Sequence, residues 1–344
     1  MTLLKPGATI EMAHGGGGMA TTRLIREIFA PHFANPLLAQ AHDATRIDAP
    51  SGRLVMTTDA HVISPLEFPG GDIGSLSVHG TINDIAMGGA RPIALSAAFI
   101  LEEGLPLAVL NRIAASMGAA ARHAGVPIAT ADTKVVERGH GDGIYITTTG
   151  LGIVPEGVHI APTNIAPDMA ILVSGTLGDH GVAILSQRQG LHFGTTITSD
   201  SAALHHMVAD MVAAVPSIAC LRDPTRGGLS ATLNELAEAA SVQMLLQESA
   251  LPIRPEVAGA CELLGLDPLH IANEGKLICI CPPEHAQTLL TIMRRHPEGQ
   301  NAAQIGTTGP RAAPGTPGLL RMTTLIGGTR VVDWLAGEQL PRIC

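Results

Sequence analysis

The chain has 344 residues, with 21 Lys and Arg against 30 Asp and Glu, a net charge of −9 and 2% aromatic residues. That length predicts two domains, and the composition predicts cores of Ala, Val, Leu, Ile and Met. Without a Lys/Arg run, and with few rings for bases to stack on, nucleic acid and anionic membrane are poor partners.

Residues 1–40 read as a Gly-rich arm ending in "HGGGGM", followed by the apolar-periodic helix "TTRLIREIFAPHF". No charged leader with an apolar core is read there, and no stretch reaches the roughly 18 apolar residues of a membrane span. "RLVMTTDAHVI" predicts a strand, and "IGSLSVHGTINDIAMGGA" a helix with Val78, Ile82 and Ile85 on one face. A strand "RPIALSAAFIL" comes next. The helix "PLAVLNRIAASMGAAARHAG" has Pro106 at its start and Gly125 past its end. "VPIATADTKVVE" and "DGIYITTTGLGIV" are expected to pair around a Gly-rich loop. A Pro-rich joint near residues 155–167 then separates an N-terminal domain, 41–155, from a C-terminal domain, 165–333.

The second half opens with the strand "AILVSG", the loop "TLGDHG" and a helix. "RDPTRGGLSATLNELAEAA" is a loop running into a helix. "KLICIC" and "PEHAQTLLTIMRR" give a strand and a helix, and short strands follow near residues 302–333. Strands and helices mix in both halves, so the fold class is α+β or α/β. The cysteines (Cys220, Cys261, Cys279, Cys281 and Cys344) are odd in number and sparse, which points to a reducing cytoplasm. The C-x-C of "ICICPP" is expected to hold buried structural thiols that face apart, and not a metal site.

The candidate chemistry is expected in loops. Asp59, Asp84, Asp132, Asp179 and Asp223 each fall where an apolar stretch meets Gly or polar residues. One such Asp is commonly a cap or turn former. Five, beside glycines that admit a ligand to the backbone, suit Mg²⁺, and Mg²⁺ usually accompanies a substrate phosphate. "HGGGGM" and "SGTLGDHGV" offer backbone N–H groups to phosphate but match neither a P-loop nor an intact G-x-G-x-x-G. Lys134 in "DTKVV" is a candidate cation and Glu274 in "NEGK" a candidate base. No H-x-x-x-H or H-E-x-x-H pattern supports a histidine metal site. The tail, 334–344, ends in "PRIC". The 11 residues from Asp333 to Cys344 reach at most about 40 Å when extended, enough to carry a thiol into a cleft.

"AHGGGGM", "TTDA", "GTINDIAMGGA", "FILEEGLP", "ADTKVVERG", "SGTLGDHG", "RDPTRGGL", "ANEGKL" and above all the terminal "PRIC" resemble the HypE family of hydrogenase maturation proteins, from about residue 11 to residue 344. The Asp motifs alone mark a wider superfamily, with aminoimidazole ribonucleotide synthetase, selenophosphate synthetase and thiamine-monophosphate kinase. The resemblance implies a two-domain α+β, aminoimidazole ribonucleotide synthetase-like fold with a sandwich-like C-terminal domain. It implies a homodimer that pairs N-terminal sheets, with ATP near the interface. It also implies a reaction. A HypF-like carbamoyltransferase loads Cys344, ATP-dependent loss of water leaves a thiocyanate, and the cyanide passes to iron on a HypC–HypD-like complex for nickel–iron hydrogenase. By motif position Asp59, Asp84 and Asp223 bind Mg²⁺. With them, His14, Gly15, Gly16, Asn83, Asp132, Thr133 and Asp179 hold the nucleotide. Lys134 and Glu274 act with Cys344 as cation and base, or in exchanged roles. Two other readings stay open. A sister synthetase should carry a reactive Cys in the Gly-rich loop, where "HGGGG" has none. A non-enzymatic thiol carrier would need "PRIC" but not the Asp cluster.

Overall fold

The computed structural model describes residues 3–40, 44–48, 50–191, 197–334 and 342–344. The tail between 334 and 342, which carries most of the expected mobile arm, lies outside the described residues.

The N-terminal half begins with α1 (Met19–Leu24), a π turn (Ile25–Phe29) and α2 (Ala30–Phe33). The wide turn comes just before Pro31, which has no N–H to give to a helical ladder. Then come β1 (Arg53–His61), the short hairpin β2 (Glu67–Phe68) and β3 (Gly71–Asp72), and α3 (Ile73–Met87). Asp72 starts α3 by accepting from Gly74 N at 2.7 Å and Ser75 N at 2.9 Å. β4 (Arg91–Glu102), α4 (Leu107–Ala124), β5 (Ile128–Val136) and β6 (Ile144–Val154) follow. Gly125, at φ +68°, closes α4 in the left-handed region.

The four strands order as β1–β6–β4–β5. The expected β5–β6 pairing is therefore corrected: β6 lies between β1 and β4. The α4 crossover makes β4 and β5 parallel neighbours, which leaves β5 at the edge. Gly150 and Gly152 of β6 let α3 lie close on the sheet, since a Cβ there would stand 2.5 and 2.4 Å from Ile85 carbons. The sheet buries Leu95 and Phe99 of β4 with Leu76 and Ile82 of α3 and Leu110 and Ile113 of α4. Leu54, Met56 and Ile100 stay exposed.

The C-terminal half runs β7 (Ala170–Val173), α5 (Asp179–Gln189), α6 (His205–Ala214), β8 (Cys220–Arg222), α7 (Gly228–Ala240), β9 (Val242–Gln247), α8 (Pro255–Leu264), β10 (Ile278–Cys281), α9 (Ala286–Met293), β11 (Ala303–Arg311), β12 (Leu320–Thr323) and β13 (Thr329–Val331). Its sheet orders β13–β12–β9–β11–β7–β10–β8. Cys279 and Cys281 pack with α6 and α9, while Ile278 and Ile280 pack with α7. The two thiols are buried but share one face, as residues two apart in a strand must, so the expectation that they face apart is corrected.

Candidate active site

A cavity of about 540 Å³ opens where β1 and α3 of the first half meet the β8–α7 loop of the second. Asp59 and His61 reach it from β1, Asp84 from α3, Asp223 and Arg226 from the loop after β8, Glu274 from the turn before β10, and Cys344 from the chain end. Gly80 allows this approach of helix and strand. A Cβ at that position would stand 3.2 Å from both Asp59 Oδ2 and His61 Cε1. Asp59 and Asp84 are thus inside regular elements and not in loops as expected. Only Asp223 and Glu274 of the acidic set sit between elements.

The cavity is short of positive charge. Burial raises the Asp84 carboxyl, and neighbouring Asp59 adds to this, while the Thr57 hydroxyl opposes it from 2.7 Å. Asp223 is pushed up to about 7 by burial and by Asp84. Glu274 is raised well above the carboxylate range by burial, then by Asp223, Asp200, Asp59 and Asp84. Its Oε1 has no hydrogen-bond partner among the described residues. Arg226 acts the other way, lowering Asp59 and Asp84. His61 stands 3.9 Å from Asp59 Oδ2. Burial and Arg226 lower it to about 4, so the pair is not ionic at neutral pH. Hard carboxylates with this excess of negative charge suit Mg²⁺. Among the described residues, no three His, Cys, Asp or Glu side chains form a ready-made metal cluster.

The remaining predicted residues fall elsewhere. Lys134, on β5, pairs with Asp132 Oδ2 at 2.8 Å, and both are exposed. Asp132 also accepts from Thr133 N at 2.8 Å. The Gly-rich arm lies beside this strand: a Cβ at Gly15 would meet Val135 Cβ at 2.9 Å. His14 is buried with Nδ1 accepting from Glu11 N at 2.9 Å, next to Gly15 and Gly16. His14–Gly16 and Asp132–Lys134 therefore form a second group on the β5 edge. Within one chain this corrects the expectation that Lys134 faces the acidic cavity; the cations lining it are Arg226 and Arg222, the latter paired with Glu235 at 2.8 Å. Asp132 is likewise within β5 and not in a loop. Asn83 is a buried clamp that donates to Ala202 O and Glu274 O and accepts from Leu204 N, and it does not line the cavity. Asp179 starts α5 and pairs with Arg254 at 2.7 Å and with Thr176, also away from the cavity.

The residues missed from the sequence are Arg226, His61, Asp200 and Lys276. Arg226 stood inside the quoted "RDPTRGG". Lys276, two residues past Glu274, carried the same signal that singled out Lys134: a rare lysine between apolar segments. It forms a buried ion pair with Asp200 at 3.1 Å, and Asp200 accepts from Glu274 N at 3.1 Å. Nothing local in the sequence marks Asp200.

The last three residues are docked. Val62 N donates to Cys344 O at 3.0 Å and Ser64 N to Arg342 O at 3.2 Å. Ile343 is buried, and Arg342 pairs with Asp142.

Residues 41–154 match the model for "AIR synthase related protein, N-terminal domain", and residues 166–315 that for "AIR synthase related protein, C-terminal domain". The chain is 60% identical over 336 residues to the carbamoyl dehydratase HypE of Azotobacter vinelandii, covering 98% of this chain and 97% of that one. A crystal structure of hydrogenase maturation protein HypE in complex with ATP has a TM-score of 0.93 and 49% identity, covering 97% of this chain and 99% of that one. HypE in a HypE–HypF complex has a TM-score of 0.79 and 42% identity, covering 91% and 99%. The chain belongs to the HypE carbamoyl dehydratases, within the AIR synthase related family.

Proposed function

We propose that this chain dehydrates a carbamoyl group carried on its own Cys344, with ATP, to a thiocyanate that supplies the cyanide ligand of nickel–iron hydrogenase. The observation that carries the reading is Cys344 in the same cavity as Asp59, Asp84, Asp223 and Glu274. A thiol carrier alone would not need that acidic surround.

The chemistry follows from the leaving group. The carbamoyl oxygen leaves poorly as water. Attack by that oxygen on the γ-phosphorus of ATP breaks the γ-phosphate–ADP bond and makes the oxygen part of a phosphate. The C–O bond then breaks as nitrogen loses its protons and the third C–N bond forms. The products are S-cyanocysteine, ADP and phosphate. Asp59, Asp84 and Asp223 would hold Mg²⁺, which supplies charge neutralisation for the phosphates. Arg226 stabilises charge on the transferred oxygen. Glu274 takes a proton from nitrogen; a carboxyl raised by burial and like charges is a stronger base once ionised.

The exposed Leu54, Met56 and Ile100 support pairing of the N-terminal sheets of two copies. We propose that this homodimer sets the β5-edge group of one protomer against the acidic cavity of the other, so that Lys134 meets the phosphates across the interface. A HypF-like transferase loads Cys344, and a HypC–HypD-like complex accepts the cyanide. None of the described helices is long and apolar enough to cross a membrane, and we place the reaction in the cytoplasm.

Mass spectrometry of Cys344 tests the function. A carbamoylated chain should lose one water on addition of Mg-ATP, and Cys344→Ala should abolish cyanide formation with ATP binding retained. Carbamoylated Cys344 that survives ATP hydrolysis unchanged would sink the proposal.

A further inference from the structure

Each residue of the terminal tripeptide is held through a main-chain oxygen, that of Cys344 belonging to its α-carboxylate. Arg342 O accepts from Ser64 N at 3.2 Å and from Arg188 Nη2 at 2.7 Å. Cys344 O accepts from Val62 N at 3.0 Å. Ile343 O meets His180 Nε2 at 2.7 Å. His180 is fully buried on α5, edge-on to Phe68 with ring centroids 5.6 Å apart. Its Nδ1 lies 2.8 Å from Ser199 Oγ. A carbonyl oxygen only accepts, so Nε2 carries the hydrogen and Nδ1 accepts from Ser199 in the neutral ring. Burial lowers His180 from its ordinary range, in keeping with that neutral form.

We infer that His180 is a positioning residue for the arm: its Nε2–H latches the Ile343 carbonyl and so sets Cys344 in the acidic cavity. Three features make it a latch and not ordinary core packing. The bond joins α5 to a residue 163 positions away, at the chain end. It reads backbone, so it is indifferent to what Cys344 carries. When the arm leaves, the Nε2–H loses its protein acceptor, and the bond made on docking favours the docked arm. Ile343 adds an apolar anchor beside Gly181, where a Cβ would stand 3.3 Å from Ile343 Cδ1. The arm must dock for chemistry and undock for loading, so the latch acts on the two steps with opposite sign.

The test compares two near-isosteres. His180→Asn keeps the Ser199 contact and loses the Nε2 donor; His180→Gln keeps a donor near Nε2. Cys220, Cys261, Cys279 and Cys281 are buried, so a maleimide applied to the folded chain reports Cys344. Loss of one hydrogen bond predicts labelling of Cys344 roughly three- to tenfold faster in the Asn variant, with the Gln variant near wild type. A carbamoylated Asn variant should dehydrate more slowly by a similar factor while accepting carbamoyl at least as fast as wild type. A merely structural residue would not split the two steps. His180→Phe, filling the slot beside Phe68, repeats the test should the Asn variant not fold. Labelling at the wild-type rate in a folded donor-less variant overturns the inference. The loading and dehydration arms rest on the function proposed above; the labelling arm does not. Faster labelling in a chain whose wild type never dehydrates would overturn that function and leave the latch standing.

Discussion

Thr57 on β1 donates its hydroxyl to Asp84 Oδ2 on α3 across 2.7 Å, which fixes one carboxylate oxygen of a residue that lines the cavity. Asp84→Asn removes a charge that Asp59 and Asp223 oppose. The variant should fold with unchanged or slightly higher stability and bind Mg-ATP at least about tenfold more weakly, ~1.4 kcal/mol. Calorimetric titration with Mg-ATP, beside a thermal melt, checks both halves. Unchanged affinity would place the nucleotide elsewhere.

Asp223 makes the stability depend on pH. Its folded value, about 7, lies above its unfolded value, so between the two the folded chain binds the extra proton. Stability should therefore fall as pH rises from about 4 to about 7 and then level, by at most about 1.4 kcal/mol per pH unit from this one group. The difference in melting temperature between wild type and Asp223→Asn should widen over that window. Added Mg-ATP should shrink the difference in wild type. A gap that does not change with pH would show that Asp223 is ionised throughout.

Lys276 and Asp200 form a buried ion pair beside the site, 8% and 5% exposed. Truncating one partner leaves the other charge buried, so Lys276→Met should destabilise by about 3–5 kcal/mol. Asp200 also accepts from Glu274 N, so the loss should reach the base as well. The double variant Asp200→Asn, Lys276→Met should recover part of the stability. Denaturant melts of both variants read this directly, and a double variant no better than the single would show that the charges are not coupled.

Local rules located much of this molecule. Pro106 and Gly125 bracket α4 as expected, because a fixed φ and a left-handed stop are properties of those residues alone. The acidic motifs pointed to Asp59, Asp84, Asp223 and Glu274, which do share one cavity. What local rules could not supply was partnership. Asp179 and Asn83 sit in equally Gly-rich motifs, "TLGDHG" and "GTINDIAMGGA". Yet Asp179 pairs with Arg254, and Asn83 clamps residues more than a hundred positions away. Only tertiary structure decides which polar group meets a ligand and which meets protein. The insertion of β6 between β1 and β4 was invisible for the same reason: the pairing depends on the α4 crossover and not on the strands' own residues.

Lys134 supplies the last prediction. It shares the β5 edge with Asp132, while the acidic cavity opens beside β1, at the opposite edge of a four-stranded sheet. Three strand spacings separate those edges, about 14 Å, too far for a lysine to reach across its own sheet. A two-fold pairing of sheets can bring one copy's β5 edge to the other's β1 edge. Lys134→Ala and Asp84→Asn should each abolish dehydration alone. In a mixed dimer of the two, one site carries both defects and the other carries neither. Random mixing of equal amounts should then restore activity at about a quarter of the sites. Measuring cyanide formation after unfolding and refolding the two variants together checks this. No recovery, with mixed dimers demonstrated by native mass spectrometry, would mean that Lys134 does not act across the interface.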